Sequence, residues 1–421
     1  RKGVKYSDGN VVSNRSVARS LRRYIDPANN AHALKAVDDV VSVDYKAPNK
    51  VILNLKQPNP GLTLYLARQA GLLSSPAYWG TPSEKAYPVG SGPYILDVAK
   101  SQLGSNYVFK SNPGYWNKKA RKFDNLVIKI IGTQTALNTA LQTGAVDGAN
   151  LLENSAYGPL TAAGLESSSY VANVEAWRFS DRDGHLKSPI ANLKVRQALN
   201  YAIDRKAILA SPIGGGLGYV TSQEFPKGFD GYVASLENRY PYDPAKAKAL
   251  LAEAGYPNGL KISSIQPFFF YFGPSKAILS AMLDKVGVTI DWVEAKPPAL
   301  SAFAEVQAGK YPMFYQGLQR DPNWAFLNFS VMKDAPWNAD DYMDATMTKY
   351  ITAYRVGTPC VKASTCTAQR SRSQLVPDSS RAFGICHQPR KRTCIRRMCG
   401  GRASSLGLHT FCEPRMDTVT T

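Results

Sequence analysis

The stretch FDNLVIKIIGTQTALNTALQTGAVDGAN, residues 123–150, decides the fold class that this sequence predicts. It opens with an apolar run of strand length. A short amphipathic helix follows, with Leu137, Ala140 and Leu141 on one face, and Gly144 is suited to end that helix in a left-handed conformation. The segment AVDGAN is then the next strand. The order strand, helix, strand predicts a βαβ unit, and therefore a parallel sheet as the core.

Further helices and strands alternate toward the C-terminus. NLKVRQALNYAI (192–203) and DPAKAKALLAEAG (243–255) carry apolar residues at helical spacing. Asp243 and Pro244 are suited to the N-cap and the first turn of the second helix, and Gly255 to its end. The runs LKISSIQ and VTIDWVEA are predicted strands on either side of another amphipathic segment. This alternation predicts a second α/β lobe.

A β-hairpin is predicted on the N-terminal side, from VVSVDYKAPNKVILNLKQP at 40–58. Val41, Val43 and Tyr45 alternate with polar residues, so we expect them to share the buried face of the first strand.

Composition and charge describe a globular protein. The 421 residues suffice for two or three domains, and no window approaches the length of an uncharged membrane-spanning helix. The formal net charge is +19, of which residues 358–421 supply +8 from eleven basic and three acidic side chains. The other basic residues are scattered, which is typical of a solvated surface and does not favour a nucleic-acid interface.

Residues 358–421 differ from the rest of the chain. All six cysteines lie there, at spacings that do not form the paired knuckles of a zinc site, and Tyr and Trp are absent. We expect this segment to be unstructured and interpret it as the product of a shifted reading frame. A genuine basic tail is the alternative.

Catalytic machinery is not predicted. His32 and His185 are the only histidines before the cysteine-rich segment, and no G-x-S-x-G elbow or phosphate-binding G-x-x-x-x-G-K-[ST] loop occurs. We therefore expect no enzyme, no cofactor and no metal.

Aromatic residues are dense in predicted loops and strand ends. Trp177 and Phe179 flank Arg178, and residues 268–272 form an aromatic run. Two interpretations stay open: packing in the core, or the wall of a ligand site with a few polar anchors. On the second interpretation the ligand-binding residues are Trp177, Arg178, Phe268, Tyr315, Gln316, Asp321 and Trp324.

Several motifs occur in a familiar order, among them VGSGPYIL, SNPGYWNKKARKFDNLVIKII, ALQTGAVDGA, NLKVRQALNYAIDRKAIL and YPYDPAKAKALLAEAGYPNG. Together they resemble the family 5 extracellular solute-binding proteins, the peptide and nickel receptors of ABC importers. The resemblance covers residues 1–357. It implies an α/β, two-lobed periplasmic binding protein fold of type II, with mixed sheets and an extra α+β subdomain.

The function that this resemblance implies is uptake. A monomeric bacterial receptor in the periplasm, or held as a lipoprotein on the outer face of the membrane, would bind an oligopeptide, dipeptide, opine or sugar between its lobes. It would then deliver this solute to an ABC permease. Alternatives are a non-functional fragment of a disrupted receptor gene, or a basic nucleic-acid-binding protein.

The resemblance also implies a domain plan. Residues 1–88 would form the extra subdomain and part of lobe I, 89–178 the incomplete lobe I, and 179–357 lobe II, with 358–421 outside the fold. The opening RKGVKYSDGN would follow an N-terminal section that carries the export signal. With lobe I incomplete at both ends, weakened closure is expected.

One family pattern departs from its usual form. Peptide-binding members carry W-x-x-D just before D-P, and the acid holds the amino group of the ligand. In FYQGLQRDPNWAF, Tyr315 takes the aromatic place and Leu318 the acidic one, while Asp321 and Pro322 remain. Since a buried ammonium needs a carboxylate, this departure favours an opine, a sugar or a capped peptide, with Asp321 as a substitute acid.

Overall fold

The structure is a computed structural model of the chain. It describes all residues except 27, 29–36, 47–48, 83, 85–86, 152, 169–172, 212–213, 216, 226, 229–230, 267–272, 296–298, 320–322, 357–381, 388–392 and 396–421.

The described helices and strands alternate along most of the chain. The helices are α1 (Asn14–Ile25), α2 (Leu62–Leu66), α3 (Gln134–Thr143), α4 (Tyr157–Ala162), α5 (Leu193–Ala202), α6 (Arg205–Ala210), α7 (Pro244–Glu253), α8 (Gly273–Asp284), α9 (Ala299–Gln307), α10 (Asn323–Ser330) and α11 (Ala345–Arg355). The strands are β1 (Val40–Asp44), β2 (Ile52–Leu55), β3 (Tyr94–Leu96), β4 (Asn106–Ser111), β5 (Asn125–Lys129), β6 (Gly148–Asn150), β7 (Glu166–Ser167), β8 (Asn173–Phe179), β9 (Gly218–Val220), β10 (Leu260–Ile265), β11 (Val288–Val293), β12 (Met313–Gln319), β13 (Ala382–His387) and β14 (Thr393–Ile395).

The chain divides into two compact units. Unit 1 comprises Arg1–Ser169 with Arg390–Thr421, and unit 2 comprises Tyr170–Pro389. Among the residues with described positions, no helix has both the length and the apolar character needed to cross a membrane.

The described strands of unit 1 form three small sheets, in the orders β1-β2, β3-β4-β5 and β6-β14-β7, and all of their strand pairs are antiparallel. The predicted helix of the opening stretch is confirmed as α3. Thr133 caps its N-terminus, and Gly144 ends it with a φ of 73°. Leu137 and Leu141 are buried in a cluster with Leu160 of α4.

The predicted βαβ unit at 123–150 is wrong, because β5 and β6 belong to different sheets. Strand β5 pairs with β4 in an antiparallel register, and its residues are only half-buried. A strand of a parallel sheet needs cover on both faces, and β5 lacks it. Ile130, just after the strand, is 58% exposed.

The predicted hairpin is confirmed as β1 and β2, but its predicted face is wrong in part. A bulge between Val40 and Ser42 shifts the register. Val43 is therefore buried, at 1% exposure, whereas Val41 is 66% exposed. An extra residue in one strand exchanges the two faces beyond it, which the alternation alone does not show.

Unit 2 confirms the predicted second α/β arrangement. Strands β10 and β11 pair in parallel over six residues, with α8 as the connection between them. Among the described strand pairs this one is parallel and the others are antiparallel. The core against which it packs includes Val195, Ala198, Leu199 and Ala202 of α5, all with 0% exposure.

A four-stranded antiparallel sheet of unit 2 has the order β12-β8-β13-β9. Strand β13 pairs with β8 on one side and β9 on the other. Strands β13 and β14 lie within 358–421, where no strand was expected, and the other residues of that segment lie outside the described residues.

Candidate ligand-binding site

Strands β8 and β12 bring four of the predicted site residues together. They pair antiparallel, with Tyr315 opposite Trp177 and Gln316 opposite Ala176. Arg178 stands opposite Phe314. Because paired residues share a face and faces alternate along a strand, Trp177 and Tyr315 lie on one side of the sheet and Arg178 and Gln316 on the other.

The aromatic side of this pair belongs to the core of unit 2. The rings of Trp177 and Tyr315 meet edge to face, with centroids 4.4 Å apart, and both residues are buried. They pack in one cluster with Phe179 and Met313. The packing interpretation therefore describes their surroundings, and a role in ligand binding stays a proposal.

The other side carries buried polar groups. Arg178 is 7% exposed and Gln316 is 8% exposed. The Nη1 atom of Arg178 forms an ion pair with Glu224, which is 46 residues away in sequence. Glu224 was not predicted as a site residue, since no local pattern connects it to β8.

Trp324 lies at the start of α10 and is 2% exposed. Its ring stands 5.7 Å from that of Tyr354, and the guanidinium of Arg355 lies over it at 4.8 Å. The predicted residues Phe268 and Asp321 lie outside the described residues. Of Leu318 the structure describes the backbone, which pairs with Val174 in the sheet.

Glu175 is a buried acid that the sequence analysis missed. It is 0% exposed and stands directly opposite Gly317. A Cβ atom at position 317 would lie 2.7 Å from Oε2 of Glu175, so the carboxylate occupies the space that the glycine leaves free. This buried carboxylate lies on the sheet face of Gly317 and Trp177, which is the face opposite to that of position 318, where the family pattern has its acid. The one available sequence signal was a glutamate within an apolar strand.

One group of described side chains has the composition of a metal site. Asp181, Asp183 and His185 each offer a ligand atom, and these atoms lie within 4.8 Å of one another. The same atoms already serve the turn: Asp181 accepts hydrogen bonds from the backbone N–H groups of Leu186 (2.8 Å) and Ser188 (2.9 Å). We therefore interpret the group as a surface turn that is held by the buried Asp181 carboxylate and satisfied from within the chain.

His185 connects this turn to the end of α9. Its Nδ1 lies 2.7 Å from the Asp183 carboxylate and 3.2 Å from that of Asp181, and its Nε2 lies 3.3 Å from the carbonyl oxygen of Gly309. The hydrogen bond with Asp183 raises the pKa of His185 above its usual 6.5, and the Gly309 carbonyl adds to the effect. The protonated imidazolium is thus the form that this surrounding favours.

We expect this histidine to make unfolding depend on pH. Its folded pKa is above the unfolded value of 6.5, so its stabilisation is complete below that value and is lost as pH rises through the folded pKa. The free energy of unfolding, measured by urea denaturation between about pH 6 and about pH 8.5, should fall in the wild type and change less in His185→Gln. An identical decrease in both proteins would contradict this assignment.

Solved structures with a similar chain path identify the fold. PBP AgaA from A. tumefaciens R10, in complex with agropinic acid, aligns with a TM-score of 0.78 at 22% identity, covering 94% of this chain and 80% of that one. The periplasmic binding protein DppA from Helicobacter pylori, in complex with the peptide STSA, aligns with a TM-score of 0.79 at 18% identity, covering 95% and 82%. The fold is therefore that of the type II periplasmic binding proteins, as the sequence predicted.

The family follows from the sequence itself. Residues 1–339 match the model of the bacterial extracellular solute-binding proteins, family 5 middle region. The chain belongs to this family, which is one of extracytoplasmic binding proteins. The glutathione-binding protein GsiB of Escherichia coli K12 is 32% identical over 271 residues, which are 62% of this chain and 50% of that protein. The chain thus spans about half the length of this relative.

Proposed function

We propose that the chain is a solute receptor of an ABC importer, that it works outside the cytoplasm as a monomer, and that it is not an enzyme. The observation that carries the proposal is the family match over residues 1–339. Its relatives bind glutathione, agropinic acid and a short peptide, according to their names. We propose that this chain binds a peptide, an opine or a sugar and delivers it to a membrane permease.

Unit 2 supplies the binding residues on this proposal. Arg178 and Gln316 present polar groups on one side of the β8–β12 pair, and Trp324 lies on the helix that follows β12. Phe268 and Asp321 complete the proposed set, together with Trp177 and Tyr315.

The domain plan also stays a proposal, with 1–88 as the extra subdomain and part of lobe I, 89–178 as the incomplete lobe I, 179–357 as lobe II and 358–421 outside the fold. Its boundary between the lobes falls within β8, so Trp177 and Arg178 lie on the lobe I side of that plan although they belong to unit 2.

Isothermal titration calorimetry of the purified protein tests this proposal. Three pools of solutes are titrated separately: peptides including glutathione, opines, and neutral sugars. We expect saturable heat from one pool. A bound solute at about 100 times its Kd should also stabilise the fold by about 2.7 kcal/mol, seen as a higher Tm. A duplex oligonucleotide at low and high salt serves as control, because nucleic-acid binding falls steeply with salt. Salt-sensitive binding of the duplex, with no heat from the pools, would contradict the proposal.

A further inference from the structure

The guanidinium of Arg178 is buried but only partly satisfied. Its side chain is 8% exposed, and Nη1 is bound to Glu224. The other two nitrogens, Nε and Nη2, have no hydrogen-bond partner in the part of the chain that the structure describes. Two buried cationic N–H donors without acceptors are costly, so a native site that keeps them calls for a functional explanation.

Other buried arginines of unit 2 are used differently. Arg182 donates from Nε and Nη2 to Asp340, and from Nη2 also to Asn338. Arg205 donates from both Nη atoms, to the backbone oxygens of Asn200 and Tyr240 and to the Asn200 side chain. Burial lowers the pKa of Arg205 to about 10, which leaves it charged at neutral pH. The Nε atom of Arg205, like that of Arg178, has no hydrogen-bond partner among the described residues. The difference lies in Nη2, which is engaged in Arg182 and in Arg205 but not in Arg178.

The two nitrogens that remain on Arg178 form one edge of the guanidinium. Nε–H and the adjacent Nη2–H point in parallel, and their spacing matches the two oxygens of a carboxylate. Glu224 holds the opposite side of the group through Nη1 and so restricts the positions that the guanidinium can take. This arrangement orients the free edge before any second anion arrives, which reduces the entropy lost on binding.

Other buried polar atoms of unit 2 also have no hydrogen-bond partner among the described residues, and they include two acceptors and one donor. The acceptors are Oε1 of Gln316 and Oε2 of Glu224, and the donor is Nε1 of Trp324. Gln316 shares the sheet face of Arg178. The helix that bears Trp324 is held next to Glu224, because Phe326 of α10 contacts Phe225 with ring centroids 5.2 Å apart. These groups suit a ligand that has N–H or O–H donors as well as a carboxylate.

We propose that Arg178 anchors a carboxylate of the transported solute through Nε and Nη2, with Glu224 as the residue that positions the guanidinium. The inference rests on the proposed function and narrows the solute to a carboxylate-bearing compound, which peptides and opines are and neutral sugars are not. Gln316 and the second oxygen of Glu224 then accept hydrogen bonds from donors on the same solute.

Calorimetric titrations with matched probes test this assignment. Trialanine, trialanine amide, glutathione and octopine are titrated into the wild type, Arg178→Lys and Arg239→Lys, the last being an exposed arginine of unit 2. Lysine keeps the charge beside Glu224 but cannot form the bidentate pair, so we expect the affinity for a bound carboxylate probe to fall by about tenfold or more in Arg178→Lys. The Arg239→Lys protein should bind as the wild type does, and the Tm of each variant verifies its folding.

A second readout needs no knowledge of the natural solute. The Nε–H resonance of Arg178 is assigned by its loss from the NMR spectrum of Arg178→Lys, and the wild type is titrated with acetate against sodium chloride of equal ionic strength. Acetate should shift this resonance and chloride should not. If acetate and the carboxylate probes leave it unchanged, or if a neutral sugar binds equally well to the wild type and to Arg178→Lys, the proposal is overturned. If none of the solute pools binds, the receptor function is contradicted. The acetate titration tests only whether Arg178 binds a carboxylate, and its outcome does not depend on the receptor function.

Discussion

Replacing Asp340 with alanine is expected to lower the free energy of unfolding by about 3–5 kcal/mol, because it leaves the Arg182 cation buried without its counter-ion. The two side chains are 5% and 0% exposed. Asp340 accepts from Nε of Arg182 at 2.6 Å and from its backbone N–H at 3.0 Å, and Nη2 forms a further contact with the same carboxylate. The pair connects the residues after β8 with the loop that follows α10.

Guanidinium chloride denaturation, followed by circular dichroism, measures this loss. The double variant Arg182→Met/Asp340→Leu removes both charges and should recover most of the stability, since an apolar pair of similar size avoids the cost of burying ions. The double variant also keeps the test decisive if Asp340→Ala does not fold. A single variant within about 1 kcal/mol of the wild type would show that the pair behaves as an exposed one.

The Gly259→Ala substitution is expected to cost about 2–4 kcal/mol, from a left-handed backbone conformation and a steric overlap together. Gly259 has a φ of +89°, and an added Cβ would lie 2.3 Å from the carbonyl oxygen of Gly287. That oxygen accepts the hydrogen bond of the Leu260 N–H at 2.9 Å, at the start of the parallel β10–β11 pair. The overlap therefore falls on backbone that cannot move without opening the first rung of the pair.

Gly255→Ala is the matched control for this substitution. Gly255 has a φ of +94°, but nothing lies within 4 Å of its added Cβ. It should therefore lose only the conformational part, about 1–2 kcal/mol. Thermal unfolding of both variants gives the difference, and equal losses would mean that the close approach of Gly259 to Gly287 does not contribute.

Local sequence signals predicted the helices of unit 2 well. Asp243 caps α7 through the N–H of Lys246, and Pro244 occupies the first helical position, as its fixed φ requires. The stripe of α5 is buried because residues three and four apart lie on one face. These features depend on a few neighbouring residues, which a sequence displays directly.

Sheet pairing could not be predicted in the same way. The stretch 123–150 has the order of a βαβ unit, yet β5 and β6 join different sheets. The order of strands along the chain does not determine which strands pair with each other. The half-burial of β5 also cannot be read from its apolar residues, because it depends on what packs against them. The bulge at Val40 is likewise a property of the pair of strands and not of one strand.

In the candidate site, too, local features could be predicted from the sequence, whereas features that depend on strand pairing could not. Aromatic density drew attention to Trp177 and Tyr315, whose rings meet across β8 and β12. Their burial in the core follows from the sheet and not from the sequence pattern. Glu224 and Glu175 were missed because their partners are distant in sequence, at positions 178 and 317. Their roles depend on the register of β8 with its neighbours.

Adjacent residues of β8 serve opposite sides of the sheet, Trp177 the apolar core and Arg178 the polar side. An insertion or deletion of one residue within β8 would exchange them, placing a guanidinium in the core and an indole among the buried polar groups. A change of two residues would restore the faces but displace the pairing of Tyr315 with Trp177. Insertions and deletions in related genes therefore preserve this pairing only where they fall outside β8 and β12.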